Sequence, residues 1–266
     1  MFDVIVIGGG PAGLSAAITL RQRGKEVAVI SNDHTKSGLY KAKELGNYPG
    51  LPGVSGPELL SKLMDHASGM GACLISGKVS NILPGGEVFH VGYDMEFESS
   101  KCVIIATGVV QSSLFPGEEE LLGRGVSYCA TCDGMLFRGK KVCVIALAPE
   151  ADEEAEYLKS IGCSVVLLHT NNIAINGEKN VSSVTADGEV VECDGVFILR
   201  HAIAPHMLLK GLILEDGHIL VGRSYKTNIP GVFAAGDCAG TPYQIAKAVG
   251  EGQIAALSAV EYITKK

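Results

Sequence analysis

The sequence predicts an α/β protein built from two Rossmann-like, doubly wound domains, the second inserted into the first. Three observations carry this. A strand–turn–helix start occurs twice, at residues 3 and 141. Short continuous apolar runs alternate with helix-like segments, the pattern of buried parallel strands joined by crossovers. The 266 residues include 34 Gly and are 47% hydrophobic, enough for about two domains and a sizeable core.

Taken in order, residues 3–7 form an apolar run that reads as a buried strand. A glycine cluster at 8–13 leads into a helix over 14–23, which Gly24 stops. A second strand over 26–30 closes a βαβ unit of about thirty residues. The next helix spans 56–68, with Pro57 in its first turn. From 77 to 97, short alternating segments around Pro84-Gly85-Gly86 predict a small antiparallel sheet inserted in the first domain. Residues 102–106 are a buried strand ending in Thr107-Gly108, and the turn-rich, acidic stretch 111–125 reads as a linker. A second βαβ-like pattern follows, with strand 142–145, helix 150–161 and strand 164–168; 190–199 is mostly strand. Residues 231–235 are a further buried strand ending in Gly236-Asp237, and 244–262 a closing helix. The expected domains are therefore 1–112 with 213–266, and an inserted 113–212.

Charge and hydropathy exclude several classes. Against 22 Lys and Arg stand 29 Asp and Glu, a net charge of −7, so the basic footprint of a nucleic-acid or anionic-membrane binder is missing. No apolar run approaches the ~18 residues that span a bilayer. Met1-Phe2-Asp3 enters a strand pattern without a basic leader, and a cytoplasmic location is expected.

Two motifs carry chemistry. Gly8, Gly10 and Gly13 make a G-x-G-x-x-G that follows a strand and opens a helix, the context that gives this motif meaning. Gly8 permits the tight turn, Gly10 lets a pyrophosphate approach the helix N-terminus, and Gly13 brings helix and strand close. The acidic ribose ligand usual after the second strand is missing, since Ser31-Asn32 stand there. The second motif is Cys129-Ala130-Thr131-Cys132-Asp133-Gly134. Its C-x-x-C spacing allows a short disulfide loop, and a neighbouring acid can manage thiol protons. A half zinc site is disfavoured because no second C-x-x-C or H-x-x-H completes four ligands. No metal is therefore expected. Cys73, Cys102, Cys143, Cys163, Cys193 and Cys238 lie in apolar stretches and read as buried thiols.

Beyond these motifs, Asn47-Tyr48-Pro49-Gly50, Ala106-Thr107-Gly108, Gly125-Val126-Ser127 and the segment 231–237 complete a set that spans the chain. Together the set resembles the low-molecular-weight thioredoxin reductases, two-domain FAD enzymes that work as homodimers. The resemblance implies that Gly8, Gly10, Pro11, Ala12 and Gly13 hold the FAD pyrophosphate. It places Asn47 near the isoalloxazine ring, Thr107 and Gly108 at a second crossing near the dinucleotide, Gly236 and Asp237 at the ribityl or phosphate region, and Gln244 and Ile245 at the flavin edge. It also implies that Cys132 faces the flavin, that Cys129 attacks the thioredoxin disulfide, and that Asp133 is acid and base. In that family, rotation between domains presents the cysteines alternately to flavin and substrate.

The inserted domain departs from the family pattern. NADPH users carry a second glycine-rich turn, whereas this strand runs into Ala146-Leu147-Ala148-Pro149-Glu150-Ala151. Each Cβ obstructs a pyrophosphate, and Pro149 removes a backbone donor. The following helix start is acidic. Where NADPH users show His-Arg-Arg, this chain has His169-Thr170-Asn171-Asn172, and Arg200-His201 stands in place of an Ile-Gly pair near the nicotinamide. Arginine is the residue suited to bidentate phosphate recognition. The pattern resembles the ferredoxin-dependent flavin thioredoxin reductases, in which reduced ferredoxin delivers single electrons to FAD. A locally basic docking face is then expected, with Arg138, Lys140, Lys141, Lys159, Arg200 and Lys210 as candidates. The competing readings are an NADPH-dependent enzyme with a degenerate nucleotide site, a nucleotide-independent relative with another donor, and a flavin-binding or zinc module without turnover.

Overall fold

The computed structural model describes residues 1–108, 114–128, 130–148, 151–200 and 205–265. The chain divides into two compact units, Met1–Val110 with Ala204–Lys266, and Gln111–Ile203.

The first unit opens with β1 (Phe2–Ile7), α1 (Pro11–Gln22), β2 (Val27–Ser31) and a one-turn α2 (Gly38–Lys41). Next comes α3 (Gly56–Gly69), with Pro57 in its first turn and Ser55 Oγ accepting the Glu58 N–H as a cap. It continues through β3 (Cys73–Ser76), β4 (Val79–Gly85), β5 (Val88–Tyr93) and β6 (Glu96–Ile105). The second unit supplies β7 (Val126–Ser127), α4 (Ala130–Asp133), β8 (Lys141–Ala146), α5 (Ala151–Ser160) and β9 (Ser164–Leu168). To these it adds β10 (Ile173–Asn176), β11 (Ser183–Ala186), β12 (Glu189–Glu192) and β13 (Gly195–Leu199). The chain returns to the first unit as α6 (Pro205–Leu208), β14 (Leu214–Glu215), β15 (His218–Ile219), β16 (Val232–Ala234) and α7 (Ile245–Lys265).

In the first unit the sheet order is β3-β2-β1-β6-β5-β4, with β16 also on β6. Strands β1, β2, β3, β6 and β16 run parallel, while β4, β5 and β6 form an antiparallel meander. The separate small sheet expected at 77–97 is thus part of the main one. A single ten-residue strand, β6, serves both: residues 96–100 pair with β5, and the buried run 102–105 pairs with β1 and β16. Helices α1 and α7 pack with small residues at their contact, including Ala16, Ala17, Ala255 and Ala256. A Cβ on Gly252 would lie 2.0 Å from the Ala12 carbonyl oxygen, so only glycine permits this approach.

The second unit holds a parallel sheet in the order β7-β13-β8-β9 and a separate antiparallel sheet β10-β11-β12. Ala151, Ala155 and Leu158 of α5 pack on one face of the parallel sheet; Ile173, Ile175 and Val184 of the antiparallel sheet pack on the other. The strand expected over 190–199 is two strands in different sheets. Asp194 divides them, exchanging hydrogen bonds with Lys141 through its N–H (2.8 Å) and its carboxylate (2.9 Å). The stretch read as a linker belongs to this unit, because its Leu121 enters the core and its Glu118 is fully buried. Of the six cysteines read as buried, Cys73 is exposed on an edge strand and the other five are buried.

Candidate active site

In the first unit, the carboxyl ends of β1, β6 and β16 lie side by side, where open α/β sheets bind their ligands. Gly8 has φ of +111°, and a Cβ there would lie 2.3 Å from the Ala106 carbonyl oxygen. A Cβ on Gly13 would lie 1.9 Å from the Gly8 carbonyl oxygen, so the turn and the helix start require both glycines. Gly10 differs: a Cβ there meets no protein atom within 4 Å. It is the N-cap of α1, Pro11 follows it, and no side chain caps the helix. The first-turn N–H groups, Ala12 among them, therefore face open space as a ready anion site.

The neighbouring strand ends carry two buried oxygens without a hydrogen-bond partner among the described residues, Thr107 Oγ1 and Asp237 Oδ1. Gly108 and Gly236 both have positive φ, +71° and +85°. Burial pushes the Asp237 carboxyl above its ordinary range, while Lys247 pulls the other way. Asn47 Nδ2 donates to Gln244 Oε1 at 2.8 Å, joining two predicted site residues 197 positions apart. Ile245 packs against the cluster of Leu45, Val54 and Leu59 below Asn47. A cradle shaped by obligatory glycines, unsatisfied buried oxygens and a free helix start fits a dinucleotide cofactor.

Sequence reasoning missed the support behind this rim. The Gly236 N–H donates to the buried Glu251 (2.8 Å), which also accepts from the Tyr225 hydroxyl (2.9 Å) and pairs with Lys247 (3.0 Å). A charged residue between Gly250 and Gly252, on the helix face that packs on α1, was the available signal.

Of the dithiol motif, Cys129 lies outside the described residues, and Cys132 is placed by its backbone within α4. Asp133 is anchored, because Ser127 Oγ donates to its Oδ2 at 2.7 Å. The Ala130 N–H donates to Glu154 of α5 at 3.2 Å. Met135 and Leu136, just beyond the motif, are exposed apolar side chains.

At the carboxyl edge of the second parallel sheet, β8 ends at Ala146 and runs on into Leu147-Ala148, and β13 ends at Leu199 and runs on into Arg200. Pro149, Glu150 and His201 lie outside the described residues. Arg200 is 7% exposed and pairs with Glu118, which is 0% exposed, through two bonds of 2.5 and 2.8 Å. Glu118 also accepts from the Phe115 N–H (2.8 Å) and the Tyr128 hydroxyl (3.0 Å), and the guanidinium lies 5.1 Å from the Phe115 ring centre. Arg200 therefore cannot serve the basic docking face expected of it, since its charge is buried and neutralised. Arg138, Lys140, Lys141, Lys159 and Lys210 are exposed.

Comparison with known proteins places this geometry. The pyridine nucleotide-disulphide oxidoreductase family matches residues 2–178 and 170–252. A ferredoxin-flavin thioredoxin reductase from Clostridium acetobutylicum is 39% identical, with a TM-score of 0.89 over 100% of this chain and 99% of that one. The atypical thioredoxin reductase TRi from Desulfovibrio vulgaris Hildenborough is 29% identical, with a TM-score of 0.73 over 100% of this chain and 99% of that one. Listeria innocua thioredoxin reductase is 32% identical over 300 residues, covering 99% of this chain and 94% of the relative. The chain belongs to the pyridine nucleotide-disulphide oxidoreductase family as a flavin disulfide reductase of the thioredoxin reductase type, with FAD as its cofactor.

Proposed function

We propose that this chain reduces thioredoxin through Cys129 and Cys132 and receives its electrons from reduced ferredoxin, not from NADPH. The observation that carries the choice of donor is the edge of the second sheet. A dinucleotide would need a glycine turn after β8 and an open crevice beside β13. β8 ends at Ala146 and is followed by Leu147 and Ala148, and the Arg200–Glu118 pair with Phe115 is packed at the end of β13. The likeness to the clostridial ferredoxin-flavin enzyme supports the same reading.

In this proposal the first unit is the FAD-binding domain. Gly8, Gly10, Pro11, Ala12 and Gly13 hold the pyrophosphate at the start of α1. Thr107, Gly108, Gly236 and Asp237 satisfy the dinucleotide from the adjoining strand ends, and Asn47, Gln244 and Ile245 border the flavin ring. When bound there, FAD would supply the redox chemistry that turns single electrons from the donor into the pair that opens the Cys129–Cys132 disulfide. The Cys129 thiolate then attacks the thioredoxin disulfide, forming a mixed disulfide and releasing one thiolate, which Asp133 protonates. Attack by Cys132 on Cys129 reforms the internal disulfide and releases the second thiolate of thioredoxin. Ser127 fixes Asp133 for this role, and exposed Met135 and Leu136 offer an apolar face beside the dithiol.

The test is anaerobic reduction of thioredoxin by photoreduced ferredoxin with the purified flavoprotein. Turnover is expected with the native chain and abolished in Cys132→Ser, which keeps its FAD. Turnover that survives Cys132→Ser would overturn the dithiol mechanism.

A further inference from the structure

The turn that carries Asp237 is held at both ends by two charged residues of α7. Gly236 opens the turn, and its N–H donates to Glu251 Oε2 at 2.8 Å. Gly240 closes it, and its carbonyl accepts from Lys247 Nζ at 2.6 Å. Lys247 and Glu251 are one helical turn apart and contact each other at 3.0 and 3.2 Å. Glu251 is 7% exposed, and its second oxygen is fixed by the Tyr225 hydroxyl at 2.9 Å. The short helix between, Asp237–Ala239, has its own fixed point where Cys238 Sγ donates to the Ile105 and Ala235 carbonyls. The turn is thus anchored at both ends, and Asp237 Oδ1 is left buried without a hydrogen-bond partner among the described residues.

Charge arithmetic gives the arrangement a second consequence. The groups that act on Asp237 are Lys247 and Glu251 from α7 and His218 from β15. Burial and Glu251 favour the neutral acid; Lys247 and His218 favour the carboxylate. Lys247 is shared between two carboxylates, and it is the group by which α7 sets the charge on the turn.

We propose that the buried Glu251 and the half-buried Lys247 form a clamp that fixes the Gly236–Asp237 turn and keeps the Asp237 carboxylate charged toward FAD, so that retention of the cofactor follows the protonation of Asp237. The proposal rests on the reading of Asp237 as an FAD ligand. Both clamp residues are positioning residues: they hold and charge the turn through Asp237.

The experiment measures FAD release from the purified flavoprotein by flavin fluorescence as pH falls, with circular dichroism confirming the native fold at each point. Lys247→Met removes the cation and should move the release midpoint up by roughly one pH unit; Glu251→Gln removes the competing anion and should move it down by a similar amount. Lys247→Arg should keep the native midpoint. The charge-balanced Lys247→Met/Glu251→Gln variant, which avoids a lone buried charge, should return near it. In an Asp237→Asn background all these shifts should vanish. Two single variants moving in the same direction, or shifts that persist in Asp237→Asn, would overturn the clamp. A native release profile for Asp237→Asn alone would instead overturn the reading of Asp237.

Discussion

Glu118→Gln should be among the most damaging single-atom changes in the second unit. The native carboxylate is fully buried and takes two bonds from Arg200, one from the Phe115 N–H and one from the Tyr128 hydroxyl. Burial, reinforced by the Glu118 charge, pushes the Tyr128 phenol far above its ordinary range, so it remains a donor. Replacing one oxygen by an amide leaves the Arg200 charge buried and uncompensated. Breaking a buried pair in this way costs about 3–5 kcal/mol, a large share of the ~5–15 kcal/mol that holds a domain together. Replacing both partners tells whether the loss comes from the pair or from the orphaned charge. Glu118→Leu with Arg200→Met and Tyr128→Phe leaves one buried donor, the Phe115 N–H, and should cost only about 1–3 kcal/mol. Urea unfolding of the full chain, followed by circular dichroism, reads both. A Glu118→Gln transition within ~1 kcal/mol of the native one, the range of exposed pairs, would refute the reasoning. So would a triple variant less stable than the single.

Other outcomes follow from the geometry. Gly13→Ala should destabilise the fold itself, because its Cβ meets the Gly8 carbonyl at 1.9 Å. Gly10→Ala should leave the unfolding transition of the apoprotein unchanged and weaken FAD binding, since its Cβ enters only space facing the helix start; equal losses in both would contradict this. Asp133→Asn should slow thioredoxin reduction by about 10²–10⁴-fold, the usual worth of a general acid, with FAD affinity unchanged; a fully active variant would remove Asp133 from the mechanism. Burial and the hydrogen bond to Glu251 raise the Tyr225 phenol from 10.0 to about 12. Its contribution to stability is therefore intact below pH 10 and lost as pH rises through about 12. Tyr225→Phe should flatten that alkaline limb in urea melts at stepped pH, and an unchanged slope would dismiss the assignment.

The parallel core was legible because its strands are buried on both faces. Continuous runs such as 3–7, 102–105 and 142–145 allow few other placements, and the glycine turn after β1 is dictated by contacts of 1.9–2.3 Å that no other residue tolerates. Strands β10 and β11 were not legible, as four-residue segments of mixed polarity carry too little periodicity to stand out. The stretch at 111–125 misled for a related reason. Three consecutive glutamates, Glu118, Glu119 and Glu120, look like a solvated face, yet the first is buried by an arginine 82 positions away. Arg200 in turn looked like surface charge until that partner was in view. A buried charge is readable only together with the groups that satisfy it, and for Glu118 and Arg200 sequence distance hides that pairing. Glu251 has its lysine one helical turn away, but its Gly236 and Tyr225 partners lie 15 and 26 positions off.

The donor is tested most directly by anaerobic stopped-flow mixing of the oxidised flavoprotein in two parallel experiments, with NADPH in one and with reduced ferredoxin in the other. The yellow flavin absorbance should bleach rapidly with ferredoxin and stay unchanged with NADPH. Rapid bleaching by NADPH would contradict the closed second-sheet edge and return the chain to the nucleotide-dependent reductases.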